Sequence, residues 1–572
     1  MNYKLIGKND LNNIKNTFLS NRGIEDINTY CNLNESCLCS PNDLIGIGDA
    51  VKMYINNIQE NKKIGLLVDC DCDGFCSAAM IYNYTKQLNS DIEIVYYLHT
   101  GKQHGLTEDI VIDDDIEFLI IPDAGTNDTE QCKSLKEKGI DILILDHHIK
   151  ERENPYAIVV NNQCSPKYKN KDLCGAGIVY KFLQLVDEET WSDYTDTLLD
   201  LVAIANLADV MDLRSYETKY LIEQGLSQIV NPCFEAFVNG QSFQIKGNLN
   251  PHAIDFYISP LINAVCRVGT QADKDILFKA LIGDESEAYS AKKKNPETGK
   301  FDTIEENVYE HAFRCAKNAK SRQDSAVRKL MPKVKEWIDK RGIAEDSVIF
   351  ARLPDDVEGV FTGLVAIKIA NDYRKPTIIL RKTEDGFSGS GRNFDNCPIE
   401  SFKSLLDGAA TFDFVRGHDN AFGVKISGDK VLETTAYCNI QCENIDFDCI
   451  KVDFSLDYDD LDIRFIREID SLKNFFGTGL KEPIVHISNV ALSRNQGVLI
   501  GKEGTTWKFI DDNEIVFLKF TNPEDDPVMN FLNDDEAEGE NEIVIKDLIG
   551  KVGFNDFGGI LSPQIQVLMY EV

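Results

Sequence analysis

Long apolar runs are missing from this 572-residue chain. None approaches the roughly 20 residues that a membrane-spanning helix needs, so no bilayer span is expected. The opening stretch, M-N-Y-K-L-I-G-K-N-D, lacks the apolar core of a secretory signal, and the cytoplasm is the expected compartment. Basic residues are in deficit: 60 Lys and Arg face 94 Asp and Glu, a formal net charge of -34. That balance argues against coating nucleic acid through bulk charge. It does not exclude a nuclease, because a metal site is acidic before its ions bind. Histidine is scarce, at 8 residues. Cysteine is not, at 16, but in a large chain without an export signal reduced thiols are expected. Cys70, Cys72 and Cys76 are followed by no second Cys/His pair at finger-like spacing, so small buried thiols are preferred over structural zinc.

The length exceeds what one core organises, and three or more units are expected. Residues 1–60 read as a leading, mostly helical segment. From Lys63 to about residue 250 short continuous apolar runs alternate with amphipathic stretches. I-G-L-L-V (Ile64 to Val68), I-E-I-V-Y-Y (Ile92 to Tyr97), F-L-I-I (Phe118 to Ile121), I-L-I-L (Ile142 to Leu145) and A-I-V-V (Ala157 to Val160) read as strands. Their lack of alternation predicts a parallel sheet covered on both faces. Residues 251–340 read as a long helical connector. A second α/β lobe is expected over 341–445, and a β-rich tail over 450–572, suited to a small OB-like barrel. The acidic stretches Asp457 to Asp462 and Asp534 to Glu542 dilute any charge signal, and the second reads as a solvated loop.

The chemistry lies where the first strands run out. V-D-C-D-C-D-G places Asp69, Asp71 and Asp73 on a turn able to curl around a cation, with Gly74 opening the next helix. A solvated acidic turn is the plain alternative. I-I-P-D supplies Asp123, I-L-D-H-H supplies Asp146, His147 and His148, and A-N-L-A-D supplies Asp209. Carboxylates and neutral imidazoles are ligands for Mn2+ and Mg2+. One of the two imidazoles could ligate metal while its neighbour donates to a phosphate oxygen, with Asp146 orienting a ring. Singly, Asp123 and Asp209 are as well read as helix caps. Together the set points to a two-metal phosphoesterase.

The set D-x-D-x-D-G, P-D, D-H-H and A-D-V-M resembles the DHH phosphoesterase superfamily. C-G-A-G-I-V-Y-K-F (Cys174 to Phe182) is similar to its glycine-containing helix start. I-S-P-L-I-N-A-V-C-R-V-G (Ile258 to Gly269) is similar to the end of the first lobe in RecJ-type nucleases. G-F-S-G-S-G-R-N (Gly386 to Asn393) and R-G-H-D-N-A-F-G (Arg416 to Gly423) resemble the two signatures of the DHH-associated C-terminal domain. The resemblance implies that 61–250 is the DHH catalytic domain and 341–445 the substrate-binding one. It implies that Asp71, Asp73, Asp123, His147 and Asp209 ligate two Mn2+ or Mg2+ ions, with Asp69 ligating or orienting. It places His148 on the scissile phosphate, Ser390, Arg392 and His418 toward substrate, and Arg267 on a phosphate. Arg392 offers a planar fork that lysine could not mimic. The sequence departs from the pattern at Asn393, where serine is usual, at Arg416, where glycine is usual, and at Phe422, where a small residue is usual. The segment Leu98 to Leu106 matches only loosely.

The expected activity is thus a 5′-to-3′ exonuclease on single-stranded DNA, with RNA or short oligonucleotides as other substrates and a single-strand-binding protein or helicase as a partner. Polarity rests on the resemblance alone. A nano-RNase or cyclic-dinucleotide phosphodiesterase shares the chemistry, but those relatives typically consist of the two lobes only. An inactive replication scaffold is the reading from another class, and it requires lost ligands; none is lost. In the tail, Trp507, Phe509, Phe517 and Phe520 are candidates for stacking on bases, with burial in the core as the alternative.

Overall fold

The computed structural model describes every residue except 109, 295–297, 502–503, 521–525, 534–540 and 558. Most of the acidic stretch 534–542, expected as a loop, therefore lies outside the described residues. The chain divides into two compact units. One comprises Arg22–Gln323 and Lys473–Lys481; the other comprises Met1–Asn21, Asp324–Leu472 and Glu482–Val572. No helix among the described residues is long and apolar enough to cross a membrane.

The first unit is built on five parallel strands: β1 (Ile64–Val68), β2 (Ile94–Leu98), β3 (Phe118–Pro122), β4 (Asp141–Asp146) and β5 (Ile158–Asn161). Their order is β2-β1-β3-β4-β5. Every residue of β1 and β3 is buried, as continuous apolar runs dictate for a sheet covered on both faces. Helix α1 (Cys72–Leu88) follows β1, and α2 (Gly175–Thr190) and α3 (Leu199–Ala208) follow the sheet. All three pack closely on one another. The order reverses direction between β1 and β3. At such a switch point the connections leave to opposite sides and a crevice opens beyond the carboxyl ends. The register shows the opening: β1 pairs with β2 through Val68, but with β3 only from Ile64 to Leu66.

The expected helical connector is interrupted. Tyr289–Lys294 and Phe301–Glu306 form an antiparallel hairpin before the long helix Val308–Lys340 begins. These segments are rich in Lys and Glu, and their two strands pair with each other, so no apolar period announces them.

In the second unit, β6 (Ile349–Arg352), α4 (Thr362–Tyr373) and β7 (Thr377–Thr383) form a parallel βαβ unit. The strands β8 (Gly386–Arg392), β9 (Phe412–His418) and β10 (Ala421–Ile426) extend it antiparallel, in the order β9-β10-β8-β7-β6. The β-rich tail is a sheet of seven strands rather than the five of an OB barrel. The leading segment is not wholly helical: Tyr3–Leu5 pairs in parallel with Ile450–Val452.

Three of the four aromatic candidates in the tail are core residues. Trp507, Phe509 and Phe517 are fully buried, whereas Phe520 is exposed. Trp507 packs edge-on to Phe509 and Tyr570. Truncating a buried ring costs about 3–5 kcal/mol through lost transfer energy and the cavity left behind. Trp507→Ala should therefore lower the urea midpoint markedly, while Phe520→Ala should leave it nearly unchanged. Equal midpoints for the two variants would contradict this packing.

Candidate metal centre

Asp69 leaves the buried end of β1 and Asp71 caps α1, its carboxylate accepting from Gly74 N at 3.1 Å. Asp73 stands in the first turn of the same helix. The turn closes this tightly because residue 74 is glycine: an added Cβ would lie 2.5 Å from the Asp69 Cβ and 2.7 Å from its carbonyl oxygen. Asp123 follows β3, Asp146 ends β4, and His147 and His148 come next. Asp209 caps the C-terminus of α3. Strand ends and one helix end thus bring sequence-distant side chains to the crevice.

The distances are short. His147 Nε2 lies 3.2 Å from Asp123 Oδ1, 3.4 Å from Asp209 Oδ2 and 3.8 Å from Asp73 Oδ2. Three overlapping sets each bring their ligand atoms within 4.8 Å of one another: Asp73, His147 and Asp209; Asp123, His147 and His148; Asp69, Asp71 and Asp123. Backbone strain accompanies the arrangement. Asp123 has φ +63° and Val210, next to Asp209, has φ +60°. A left-handed β-branched residue costs on the order of 1–3 kcal/mol and persists where its surroundings over-determine it. The N-terminus of α2 is pressed against the same site. Gly175 N and Ala176 N donate to the two oxygens of Asp73 at 2.6 and 2.8 Å, and a Cβ on Gly175 would sit 2.6 Å from that of Asp123.

Electrostatics explain why a cation belongs here. Burial, followed by the negative charges of Asp73 and Asp71, pushes the Asp123 carboxyl far above the usual carboxylate range. Asp209 is raised for the same reasons. Asp73 is raised by burial and by Asp71, against the opposing helix N–H groups. Asp123 Oδ1 and Asp209 Oδ2 are buried and accept no hydrogen bond among the described residues. Buried acceptors without donors are costly, and oxygens of this kind beside an imidazole nitrogen fit Mn2+ or Mg2+.

Asp146 organises the histidines. Its Oδ1 accepts from His147 N at 2.7 Å, His148 N at 3.1 Å and His148 Nδ1 at 2.8 Å, and its Oδ2 accepts from Thr126 N at 3.0 Å. Burial would raise its pKa, but the charge and hydrogen bond of His148 hold it well below the usual value. With Nδ1 engaged, His148 presents Nε2, and 43% of its side chain is exposed.

One participant escaped the sequence reading. His104 Nδ1 lies 2.9 Å from Asp69 Oδ2, and its ring centroid lies 4.4 Å from that of His148. Burial opposes its protonation, but the charge and hydrogen bond of Asp69 push it up to about 10. His99 Nε2 is 3.7 Å from Asp69 Oδ1, and Gly105 N donates to that oxygen at 2.9 Å. The available signal was density: four of the chain's 8 histidines fall between residues 99 and 148. Arg267 lies in the last turn of the helix Ser259–Val268. The carbonyl of its neighbour Cys266 accepts from Cys70 Sγ at 3.0 Å, which ties this helix end to the acidic turn. Ser390, Arg392 and His418 belong to the other unit. There Ser390 Oγ is 2.9 Å from Thr362 Oγ1, and Arg392 Nη1 donates to Gly391 O at 2.7 Å.

A doubly wound parallel sheet with carboxylates and imidazoles converging at its switch point defines a metal-dependent phosphoesterase type of site. Comparison with known proteins agrees. The model of the DHH family, N-terminal domain, matches residues 63–206. A prophage SPbeta protein of Bacillus subtilis (strain 168), YorK, named as a single-strand DNA-specific exonuclease, is 34% identical over 580 residues, spanning 100% of this chain and 98% of that protein. The single-stranded-DNA-specific exonuclease RecJ of the same organism is 23% identical, over 95% of this chain and 65% of its own length. RecJ from Thermus thermophilus, solved in complex with Mn2+, matches the fold with a TM-score of 0.69 at 16% identity, over 100% of this chain and 79% of that one. The chain belongs to the DHH family, among the RecJ-like exonucleases.

Metal binding requires deprotonated carboxylates. In the metal-free protein the raised pKa values of Asp73, Asp123 and Asp209 mean that the folded state holds protons the unfolded chain releases. That contribution to stability is full below the ordinary aspartate value and is lost as pH climbs through the raised values. Mn2+ takes the place of those protons. The increase in Tm on adding Mn2+ should therefore be large near about pH 8 and shrink toward zero near about pH 5. A pH-independent increment in thermal melts would count against the site. Separately, Gly175→Ala should cost about 1–3 kcal/mol by overpacking and weaken Mn2+ binding in calorimetry; unchanged affinity would exclude the close approach of α2.

Proposed function

We propose that this chain is a two-metal phosphodiesterase acting as a 5′-to-3′ exonuclease on single-stranded DNA. The observation that carries the proposal is the convergence of Asp73, Asp123 and Asp209 on His147 Nε2 within 3.8 Å. The full-length similarity to YorK supports the substrate, and polarity rests on family resemblance. In this reading Asp71, Asp73, Asp123, His147 and Asp209 hold the two cations, and Asp69 ligates or orients, its own carboxylate held by His104. When bound, Mn2+ or Mg2+ supplies a water activated for in-line attack and neutralises charge on the scissile phosphate. His148 donates from Nε2 to a non-bridging phosphate oxygen, where charge builds in the transition state. Asp146 fixes its tautomer and aim through Nδ1. Arg267, Ser390, Arg392 and His418 hold phosphates of the strand.

A polymer is favoured over a dinucleotide because the similarity runs through the seven-stranded tail as well as both lobes. RNA is a further candidate substrate, a single-strand-binding protein or helicase a candidate partner, and the cytoplasm the proposed place of action. A digest of end-labelled single-stranded DNA, duplex DNA, RNA and cyclic di-AMP with Mn2+ tests the reading. Mononucleotides should appear first from the 5′ end of the single strand. Asp73→Ala and His147→Ala should abolish turnover, His148→Ala should cost about 10²–10³-fold, and Asp146→Asn about 10–100-fold. Cleavage of cyclic di-AMP alone, or normal turnover by Asp73→Ala, would overturn it.

A further inference from the structure

Strand register in the second unit assembles a surface that no single motif announces. On one face of the sheet, Arg392 of β8 stands beside Ala421 of β10 and His418 of β9. Two residues along, Ser390 stands beside Gly423 and Arg416. Two further along, Arg381 of β7 and Ser388 stand beside Lys425 and Phe414. The opposite face is core: burial alternates strictly along β10, with Phe422, Val424 and Ile426 inward. Helix α4 packs over β7 and β8. Beyond it, Arg416 and His418 are exposed, and Lys425, Ser388 and Ser390 are half-buried, so this stretch of the face meets water.

The face is basic in a chain whose net charge is -34. It carries Arg381, Arg392, Arg416, Lys425 and His418, over a floor of Gly423, Ala421 and two serines. The Arg416 guanidinium lies over the Phe414 ring at 5.2 Å. The carboxylate of Asp385 is 4.0 Å from Lys425 Nζ and mostly exposed, a weak pair that a phosphate can replace. Adjacent rows are about 6.7 Å apart, twice the rise of a strand residue. That step is close to the separation of successive phosphates in an extended strand. Two of the three departures from the family pattern acquire a reason here. Arg416 adds a cation where glycine is usual. Phe422 fills the core directly beneath Gly391, whose added Cβ would meet the ring at 2.2 Å.

We infer that this face is a track for single-stranded DNA beyond the contacts of Ser390, Arg392 and His418: Arg416 and Lys425 each hold a further phosphate, and Phe414 stacks a base. The inference rests on the exonuclease reading. The phosphates are recognised by charge and by the planar Arg416 fork, and the base by ring stacking that tolerates any sequence.

The test is equilibrium binding of labelled oligo(dT) to the full-length protein in EDTA, read by fluorescence anisotropy across a salt series. Arg416→Ala and Lys425→Ala should each weaken binding and each reduce the slope of log K against log salt by about 0.7, the value of one phosphate contact on a single strand. Arg416→Lys should keep the slope. Phe414→Ala should weaken binding about tenfold on oligo(dT) but not on an abasic strand of the same length. Wild-type binding with unchanged affinity and slope in the three alanine variants would overturn the track and leave the exonuclease reading standing. A wild-type protein that binds no oligo(dT) would overturn both.

Discussion

Buried carboxylates repel one another, and the first unit is arranged to hold several together regardless. Asp73 and Asp123, both buried, and Asp209, partly exposed, lie around a single imidazole nitrogen. Burial first, and then the neighbouring negative charges, raise all three carboxyls above their usual range. A divalent cation turns the same arrangement from unfavourable to favourable, because a metal charge outweighs the ordinary logic of carboxylate titration. Fold and chemistry are thereby linked: the packing holds the carboxylates and the imidazole close enough together that they could share a metal ion.

The scaffold supplies that rigidity from elements that cannot move independently. β1 and β3 are buried along their whole length, so the chain ends that carry Asp69 and Asp123 are fixed by packing. The amides at the start of α2 hold Asp73 from the other side, and favourable helix-dipole charge reinforces them. Asp146 performs a different task on the same sheet. It accepts three hydrogen bonds through one oxygen and sets two consecutive histidines at different angles, 57° between ring planes. The His147 ring enters the carboxylate cluster, and the His148 ring borders it while remaining partly open to solvent.

The sheet of the first unit was legible because its strands are short continuous apolar runs, rich in Ile, Val and Leu and bounded by polar turns, a length and composition that favour strand over helix. The candidate ligands were legible because they cluster where apolar segments run out, Asp69, Asp123 and Asp146 at strand ends, Asp71 and Asp73 in the turn into α1, and Asp209 at the end of α3. His104 was not, since it sits in a loop whose shape is set by tertiary contacts to Asp69 and Asp128 rather than by local pattern. The hairpin over 289–306 was hidden by its charge. The pairing of Tyr3–Leu5 with Ile450–Val452 joins segments some 450 residues apart, and a three-residue strand carries too little pattern to reveal its partner. In the tail, the β-rich composition was legible, but which face of each strand is buried was not. Burial of Trp507, Phe509 and Phe517 depended on strand order, which period alone does not specify.

The most direct measurement is anomalous diffraction at the manganese edge from crystals of the full-length protein grown with Mn2+. Two peaks should appear in the crevice, bounded by Asp71, Asp73, Asp123, His147 and Asp209. A crevice without manganese, or manganese bound only at the surface acidic stretches, would contradict the metal centre and the chemistry built on it.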